Sequence, residues 1–132
     1  MRRLTYLEGF RSTVRRYPDS VAVVTVDGDP VTYRELDERS DRLAAALDER
    51  LGDGRCAGLA QNRVEMVVLM LASMKRGRAS VQLPTRGAVG ELESNWNGGG
   101  ATGLLYDAAK AEDAAALLER VDYDAAIGFG GA

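Results

Sequence analysis

The feature that most constrains this chain is an alternation: short apolar runs, several rich in β-branched residues, are each followed by a longer stretch with apolar residues at helical spacing. A strand that is apolar throughout has to be covered on both faces, and a helix after each strand is the usual cover. The pattern predicts an α/β fold, a parallel sheet flanked by helices and wound like half of a Rossmann or flavodoxin domain. Strands are predicted at residues 21–26, 56–60, 80–83, 104–106 and 125–129, about five in all. At 132 residues the chain holds one core and is short for two, so residues 1–132 read as a single α/β domain.

Local signals place the helices. Leu4, Leu7, Phe10 and Val14 share one helical face, and Pro18 stops that segment after Tyr17. Asp27, Gly28, Asp29 and Pro30 supply a turn from the run at 21–26 into Val31, as in a hairpin. Thr32 and Glu35 have the spacing of a capping box, and Val31 and Leu36 that of a hydrophobic staple. Leu36, Leu43, Ala44, Leu47 and Leu51 then form one apolar stripe, predicting a helix over 33–51 with Gly52 taking the left-handed position after it. Asn62 and Glu65 repeat the start signal for a helix that Gly77 ends. From 66 to 72 that helix is apolar almost all round. Burying its six side chains from Met66 to Leu71 is worth on the order of 10 kcal/mol before entropy, which predicts a helix inside the fold. The run from Gly98 to Gly100 reads as a locally loose turn. Ala111, Ala114, Leu118 and Val121 mark the last helix.

Charge and composition exclude several function classes. Lys and Arg total 17 against 20 Asp and Glu, and a net charge of -3 carries no footprint of a nucleic-acid partner. The arginines at 2, 3, 11, 15 and 16 read as the solvated side of the first helix rather than a membrane-binding patch. No apolar stretch approaches the roughly 20 residues of a transmembrane span, and no signal-like segment opens the chain, so a cytoplasmic location is expected. With no histidine and Cys56 as its single cysteine, the sequence lacks the parts for common metal and triad chemistry, and Cys56 reads as a small core residue. Gly98, Gly100 and Gly103 match the spacing of a dinucleotide fingerprint, but they precede a strand instead of following one. Asp27 follows a strand, yet the partner residues of a phosphate-accepting receiver domain are missing. Tyr33, Tyr106 and Trp96 read as packing residues. No catalytic, cofactor-binding or metal-ligating residue is assigned.

Two of these segments also carry a family resemblance. Val31-Thr32-Tyr33-Arg34-Glu35-Leu36 resembles the Thr-Tyr-x-Glu-Leu motif of adenylate-forming (AMP-binding) enzymes, the superfamily of acyl-CoA synthetases, peptide-synthetase adenylation domains and luciferases. The stretch LASMKRGRASVQLP at 71–84 is similar to that family's second motif, a Leu-x-x-x-Lys-x-Gly helix end leading into a strand. Tyr17-Pro18-Asp19, Asn62-Arg63-x-Glu65, Glu91-Leu92 and Leu104-Leu105-Tyr106-Asp107 follow in matching order, so the resemblance spans nearly the whole chain. Gly58, Arg78 and residues 94–100 depart from the pattern, the last by placing Asn and Gly where the resemblance implies the latter part of an amphipathic helix.

The resemblance implies carboxylate activation: an acid attacks the α-phosphate of Mg-ATP to give an acyl-adenylate, and a thiol such as coenzyme A displaces AMP. ATP, magnesium and coenzyme A are thus implied for full-length relatives and none for this chain. The phosphate loop, magnesium-binding Thr-Glu, ribose-binding Asp and catalytic Lys of relatives lie beyond this sequence. The expectation is an N-terminal portion of an acyl-CoA synthetase, inactive alone. The motif residues read as structural, Thr32 and Glu35 capping a helix and Lys75 complementing a helix dipole. The alternatives are an interaction module or split-ligase component that docks on a partner chain, and a small nucleotide- or flavin-binding domain. An exposed apolar face is expected to drive self-association or partner binding.

Overall fold

The computed structural model describes residues 5–61 and 63–130. Along the chain run α1 (Tyr6–Arg16), β1 (Val21–Val24), β2 (Pro30–Thr32), α2 (Tyr33–Leu51), β3 (Arg55–Leu59), α3 (Val64–Arg76) and β4 (Val81–Gln82). There follow α4 (Val89–Gly99), β5 (Ala101–Asp107), a 3-10 turn (Ala108–Lys110), α5 (Ala111–Leu118) and β6 (Ala125–Phe129). Strands β4, β3, β5 and β6 form, in that order, one parallel sheet. The expected α/β architecture is present, with four strands in that sheet among the described residues rather than about five. The run at 21–26 ends as a strand at Val24 and pairs antiparallel with β2 in a sheet of its own. Its turn, with Gly28 at φ +87°, folds the run back onto its own continuation.

Alternation along the strands assigns the two layers. Ala57, Leu59 and Leu104 face Leu92 and Trp96 of α4 and Ala114 and Leu117 of α5. Cys56 and Leu105 face the other way, onto Leu47 and Leu51 of α2 and Leu69 of α3. A third cluster, Val31, Leu36, Val68 and Leu71, seats the hairpin on α2 and α3, with Phe10 of α1 packed against it. Val31 and Leu36 thus meet as the staple spacing predicts. Leu4 lies outside the described residues, and Leu7, Phe10 and Val14 are half-buried, while Arg11, Arg15 and Arg16 are exposed.

Several expectations are corrected. Helix α3 is not enclosed: Val68, Leu69, Leu71 and Ala72 are buried, Met66 and Val67 half-buried, and Met70 is 41% exposed. The predicted start residue Asn62 lies outside the described residues, and the N-cap position is held by Arg63 without a side-chain cap bond. Only half of the capping box at Thr32 forms. The Thr32 hydroxyl accepts from the Glu35 amide at 3.2 Å, but it also donates to the Glu35 carboxylate at 3.3 Å, in place of the Thr32 amide. A complete box forms instead at Thr5 and Glu8, which the sequence reading missed. Gly52 has positive φ, +56°, but with ψ at -116° it is not left-handed helical.

The Asn- and Gly-bearing stretch at 94–100 does not break its helix. α4 runs to Gly99, and Gly100 closes it in the left-handed conformation at φ +69°. Trp96, 2% exposed, anchors the segment from within. Removing a buried Trp costs about 3–5 kcal/mol, against about 1 kcal/mol for each of the two glycines, Gly98 and Gly99, that the stretch places in the helix, so packing wins over propensity. Gly99 is itself a fit: a Cβ there would meet both Val81 methyls at 2.7 Å. Gly58 answers the same need, because a Cβ would lie 2.8 Å from Met66 Sδ and 2.9 Å from Leu69 Cδ2 of α3. Strand β5 is longer than the predicted 104–106 and includes Gly103, where Leu51 occupies the room a side chain would need.

Charged side chains lock this frame where strands begin. Arg76, its side chain 1% exposed, donates from Nε to Asp48 Oδ1 at 2.8 Å and from Nη2 to the Gly52 and Gly54 carbonyls at 2.8 and 3.0 Å. Arg78, a departure from the family pattern, pairs with Asp53 at 2.7 Å. Lys75, 5% exposed, does more than complement a dipole. Its ammonium donates to Asp37 and Asp41, both at 2.7 Å, and to Ser40 Oγ at 2.8 Å, and it lies 5.8 Å from the centre of the Phe10 ring. The last turn of α3 is thereby tied to α2, whose start carries the Thr-Tyr-x-Glu-Leu residues.

Candidate functional site

In an open parallel sheet, ligands favour the crevice outside the carboxyl ends of the strands, where successive connections leave in opposite directions. Here that point lies between β3 and β5. The chain leaving β3 passes through α3 to β4 on one side, and the chain leaving β5 passes through α5 to β6 on the other. Asp107 ends β5 with its side chain 11% exposed. One oxygen, Oδ1, accepts from the Ala109 amide at 3.0 Å, and Oδ2 lies 3.7 Å from Arg63 Nη1. Arg63 Nε is also 3.8 Å from Glu65 Oε2, a buried oxygen without a hydrogen-bond partner among the described residues.

These groups border a crevice of about 500 Å³ between the hairpin, including Val24, Asp27 and Asp29, and Arg63, Glu65 and Gln82. A neighbouring hollow of about 490 Å³ is bordered by Gln61, Gln82, Thr85 and Arg86, and Lys110 Nζ crosses to the Thr85 carbonyl at 2.8 Å. The edge can make polar contacts, since the Arg63 pairs are beyond hydrogen-bond length and its donors are loosely held. The nearest reactive atom type, the Cys56 thiol, is buried in β3. Burial pushes it up to about 12, with the Arg76 charge and a backbone hydrogen bond at Leu105 opposing only in part, so it is a core group and no nucleophile at neutral pH.

The remaining residues singled out in the sequence fall as follows. Gly98 lies in α4, Gly100 caps it and Gly103 is inside β5, so the three run from helix into strand and form no phosphate cradle. Trp96 is core, Tyr106 packs against the same cluster, and the Tyr33 ring is 6.4 Å from that of Phe10. Asp27 is an exposed turn residue at the rim of the crevice. A separate apolar groove of about 450 Å³, bordered by Tyr6, Phe10, Val23, Val67 and Met70, opens between α1, the hairpin and α3, and Tyr6 is 88% exposed. No helix among the described residues is long and apolar enough to cross a membrane. The Arg63 to Asp107 pairing was not read from the sequence, and no local spacing signals a contact between residues so far apart.

Comparison with known proteins gives the arrangement its family. The AMP-binding enzyme family matches residues 10–128. A medium/long-chain-fatty-acid–CoA/3-oxocholest-4-en-26-oate–CoA ligase of Mycobacterium marinum is 33% identical over 103 residues, 76% of this chain and 18% of the ligase. Surfactin synthase subunit 1 of Bacillus subtilis is 33% identical over the same length, 3% of that protein. Among solved structures, the N-terminal domain of FACL13 from Mycobacterium tuberculosis superposes with a TM-score of 0.81 at 26% identity, covering 97% of this chain and 34% of that domain. The fatty acyl CoA synthetase of Mycobacterium tuberculosis gives a TM-score of 0.80 at 26% identity, covering 91% of this chain and 25% of that one. The chain therefore spans about a fifth of its matched ligase and about a third of a matched N-terminal domain. The family match, the sequence identities and the superpositions agree: the chain belongs to the AMP-binding enzyme family, and it corresponds to part of an acyl-CoA ligase-type domain.

Proposed function

We propose that this chain is the N-terminal α/β unit, a single domain over 1–132, of a cytoplasmic AMP-dependent acyl-CoA synthetase that joins a carboxylate to coenzyme A with Mg-ATP. The unit contributes architecture to that reaction and no catalytic group. The observation that carries the first half is the match, in sequence and in shape, to fatty-acid–CoA ligases over most of the chain. The second half is supported by what the polar side chains do. Transfer of a phosphoryl group needs cations and donors aimed at the developing charge. Both lysines of the sequence are engaged internally, Lys75 by two aspartates and Ser40, and Lys110 by the Thr85 carbonyl. Among the described residues no group of three or more His, Cys, Asp or Glu is arranged to hold a metal ion. The cytoplasmic assignment is supported by the single, buried, unpaired cysteine.

ATP–pyrophosphate exchange tests this reading. The purified chain, supplied with Mg-ATP and a series of fatty and aryl acids, is expected to give no acid-dependent exchange above background. Exchange with any of these acids would overturn the inert-unit reading, because it would require this chain's own residues to stabilise the charge on a transferring phosphoryl group.

A further inference from the structure

We infer that Asn97 is a site of spontaneous chemical modification: the Gly98 backbone nitrogen displaces its side-chain amide, and the aspartate and isoaspartate that result unfasten the end of α4. The inference is independent of the ligase reading and arises where the sequence departs from the family pattern.

Of the chain's three asparagines, only Asn97 is followed by glycine. Asn97 and Gly98 are both exposed, and a Cβ at Gly98 would meet nothing within 4 Å, so there is room for a ring to close beside it. Asn95 is exposed on the same helix, but it precedes Trp96, 2% exposed, which pins the backbone there. Asp27 and Asp53 also precede glycines, yet an ionised carboxylate is a poor electrophile, and that of Asp53 is paired with Arg78 at 2.7 Å.

In a settled helix the Gly98 nitrogen faces away from Asn97 Cγ, so ring closure needs the last turn of α4 to open. That turn contains Gly98 and Gly99, poor helix formers, and it closes on backbone bonds, the Gly100 amide donating to the Asn97 and Trp96 carbonyls. Trp96 stays seated in the core, which confines the opening to the residues after it. The opposing restraint is the bond from Arg55 Nη1 to the Gly99 carbonyl, 3.0 Å long and exposed to water, and it slows opening without forbidding it.

Once the turn is open, the Gly98 nitrogen gives its proton to base and bonds to Asn97 Cγ. The Cγ–Nδ2 bond breaks, and ammonia leaves with a proton from water. The succinimide then takes up one water. Hydrolysis at Cγ gives aspartate, whereas hydrolysis at the main-chain carbonyl carbon gives isoaspartate, in which the chain runs through Cγ and gains a methylene. Either product puts a carboxylate in the last turn of a helix, where the dipole disfavours negative charge. In isoaspartate the carbonyl that accepted from the Gly100 amide at 3.2 Å has become that carboxylate and has left the main chain, so the cap geometry is lost.

Peptide mapping by mass spectrometry of the whole folded chain, aged at mildly alkaline pH, tests the site. Asn97 is expected to gain the mass difference between amide and acid, faster at higher pH because the nitrogen must shed its proton, while Asn95 stays intact. Gly98→Ala, for which a side chain has room, should slow conversion by at least about fivefold, the helix preference of alanine over glycine written as a ratio. The isoaspartyl form, separated by its extra negative charge, should unfold at lower urea than the parent, followed by the fluorescence of Trp96, the single tryptophan. Conversion confined to the urea-unfolded chain, equal conversion of Asn95, or an unchanged rate in Gly98→Ala overturns the site. Equal urea midpoints for the parent and the isoaspartyl form overturn the unfastening of α4.

Discussion

Where the strands begin, Arg76, Arg78 and Arg55 donate into carbonyls and carboxylates at 2.7 to 3.1 Å, and Lys75 ties the adjoining helix pair with contacts of similar length. Across the crevice where β3 and β5 end, Arg63 approaches Asp107 and Glu65 no closer than 3.7 Å, and a Glu65 oxygen is left without a hydrogen bond. The short contacts of charged groups on that side are to backbone: Lys110 Nζ donates to the Thr85 carbonyl at 2.8 Å, and Asp107 Oδ1 accepts from the Ala109 amide at 3.0 Å. The difference teaches that the stabilising polar chemistry of this unit is concentrated away from the edge at which open α/β sheets meet their ligands. The carboxyl edge keeps loosely held charges.

The largest effect expected to sharpen that comparison comes from Cys56, beneath Arg76. Its folded-state thiol is raised from an ordinary value near 9 to about 12. Between those values the folded protein keeps a proton that the unfolded chain has released. The stabilising contribution is complete below pH 9 and is lost as pH rises toward 12, by up to about 4 kcal/mol. Urea midpoints at neutral pH and midway through that window should fall more steeply for the native protein than for Cys56→Ala. Parallel slopes would mean that the strand is open enough for the thiolate to find water.

Lys75→Met comes next. It keeps the apolar stem but leaves Asp37 and Asp41 facing each other without the cation, and should cost about 2–3 kcal/mol, below the range for fully buried pairs because both aspartates are partly exposed. A loss under about 0.5 kcal/mol in equilibrium unfolding would remove the lock from the account. Smallest is Asp107→Asn at the carboxyl edge. Asparagine retains an acceptor for the Ala109 amide and sacrifices only the long Arg63 contact, so a change below about 1 kcal/mol is expected. If Asp107→Asn destabilised as much as Lys75→Met, the two ends of the sheet would be equally load-carrying and the comparison would fail.

Much of the fold was legible because its signals are local. The stripe on α2, the staple of Val31 and Leu36, the turn at Gly28 and the helix end at Gly77 each depend on residues within a few positions of one another. Misreadings arose where distant residues decide. Residues 94–100 looked too rich in Asn and Gly for a helix, yet Trp96 and the fit of Gly99 against Val81 hold one. The hairpin at 21–31 was readable, but the run at 21–26 was counted with the strands of the parallel sheet, and the structure pairs it with β2 in a separate sheet. Of the candidate site, the absence of a phosphate cradle among Gly98, Gly100 and Gly103 was readable from order alone. The Arg63, Glu65 and Asp107 cluster was not, because its members come from separate elements.

The sequence by itself determined the alternation of strand and helix, the family motifs and the lack of histidine, since periodicity, caps and residue inventory are properties of the chain before it folds. Tertiary structure alone decided which strands share a sheet, that Lys75 of the second motif reaches back to Asp37 and Asp41 of the helix begun by the first, and that β6 is left open at an edge. Those outcomes depend on which surfaces remain uncovered once every local element has formed. That balance of burial and backbone pairing extends over the whole unit and is encoded at no single position.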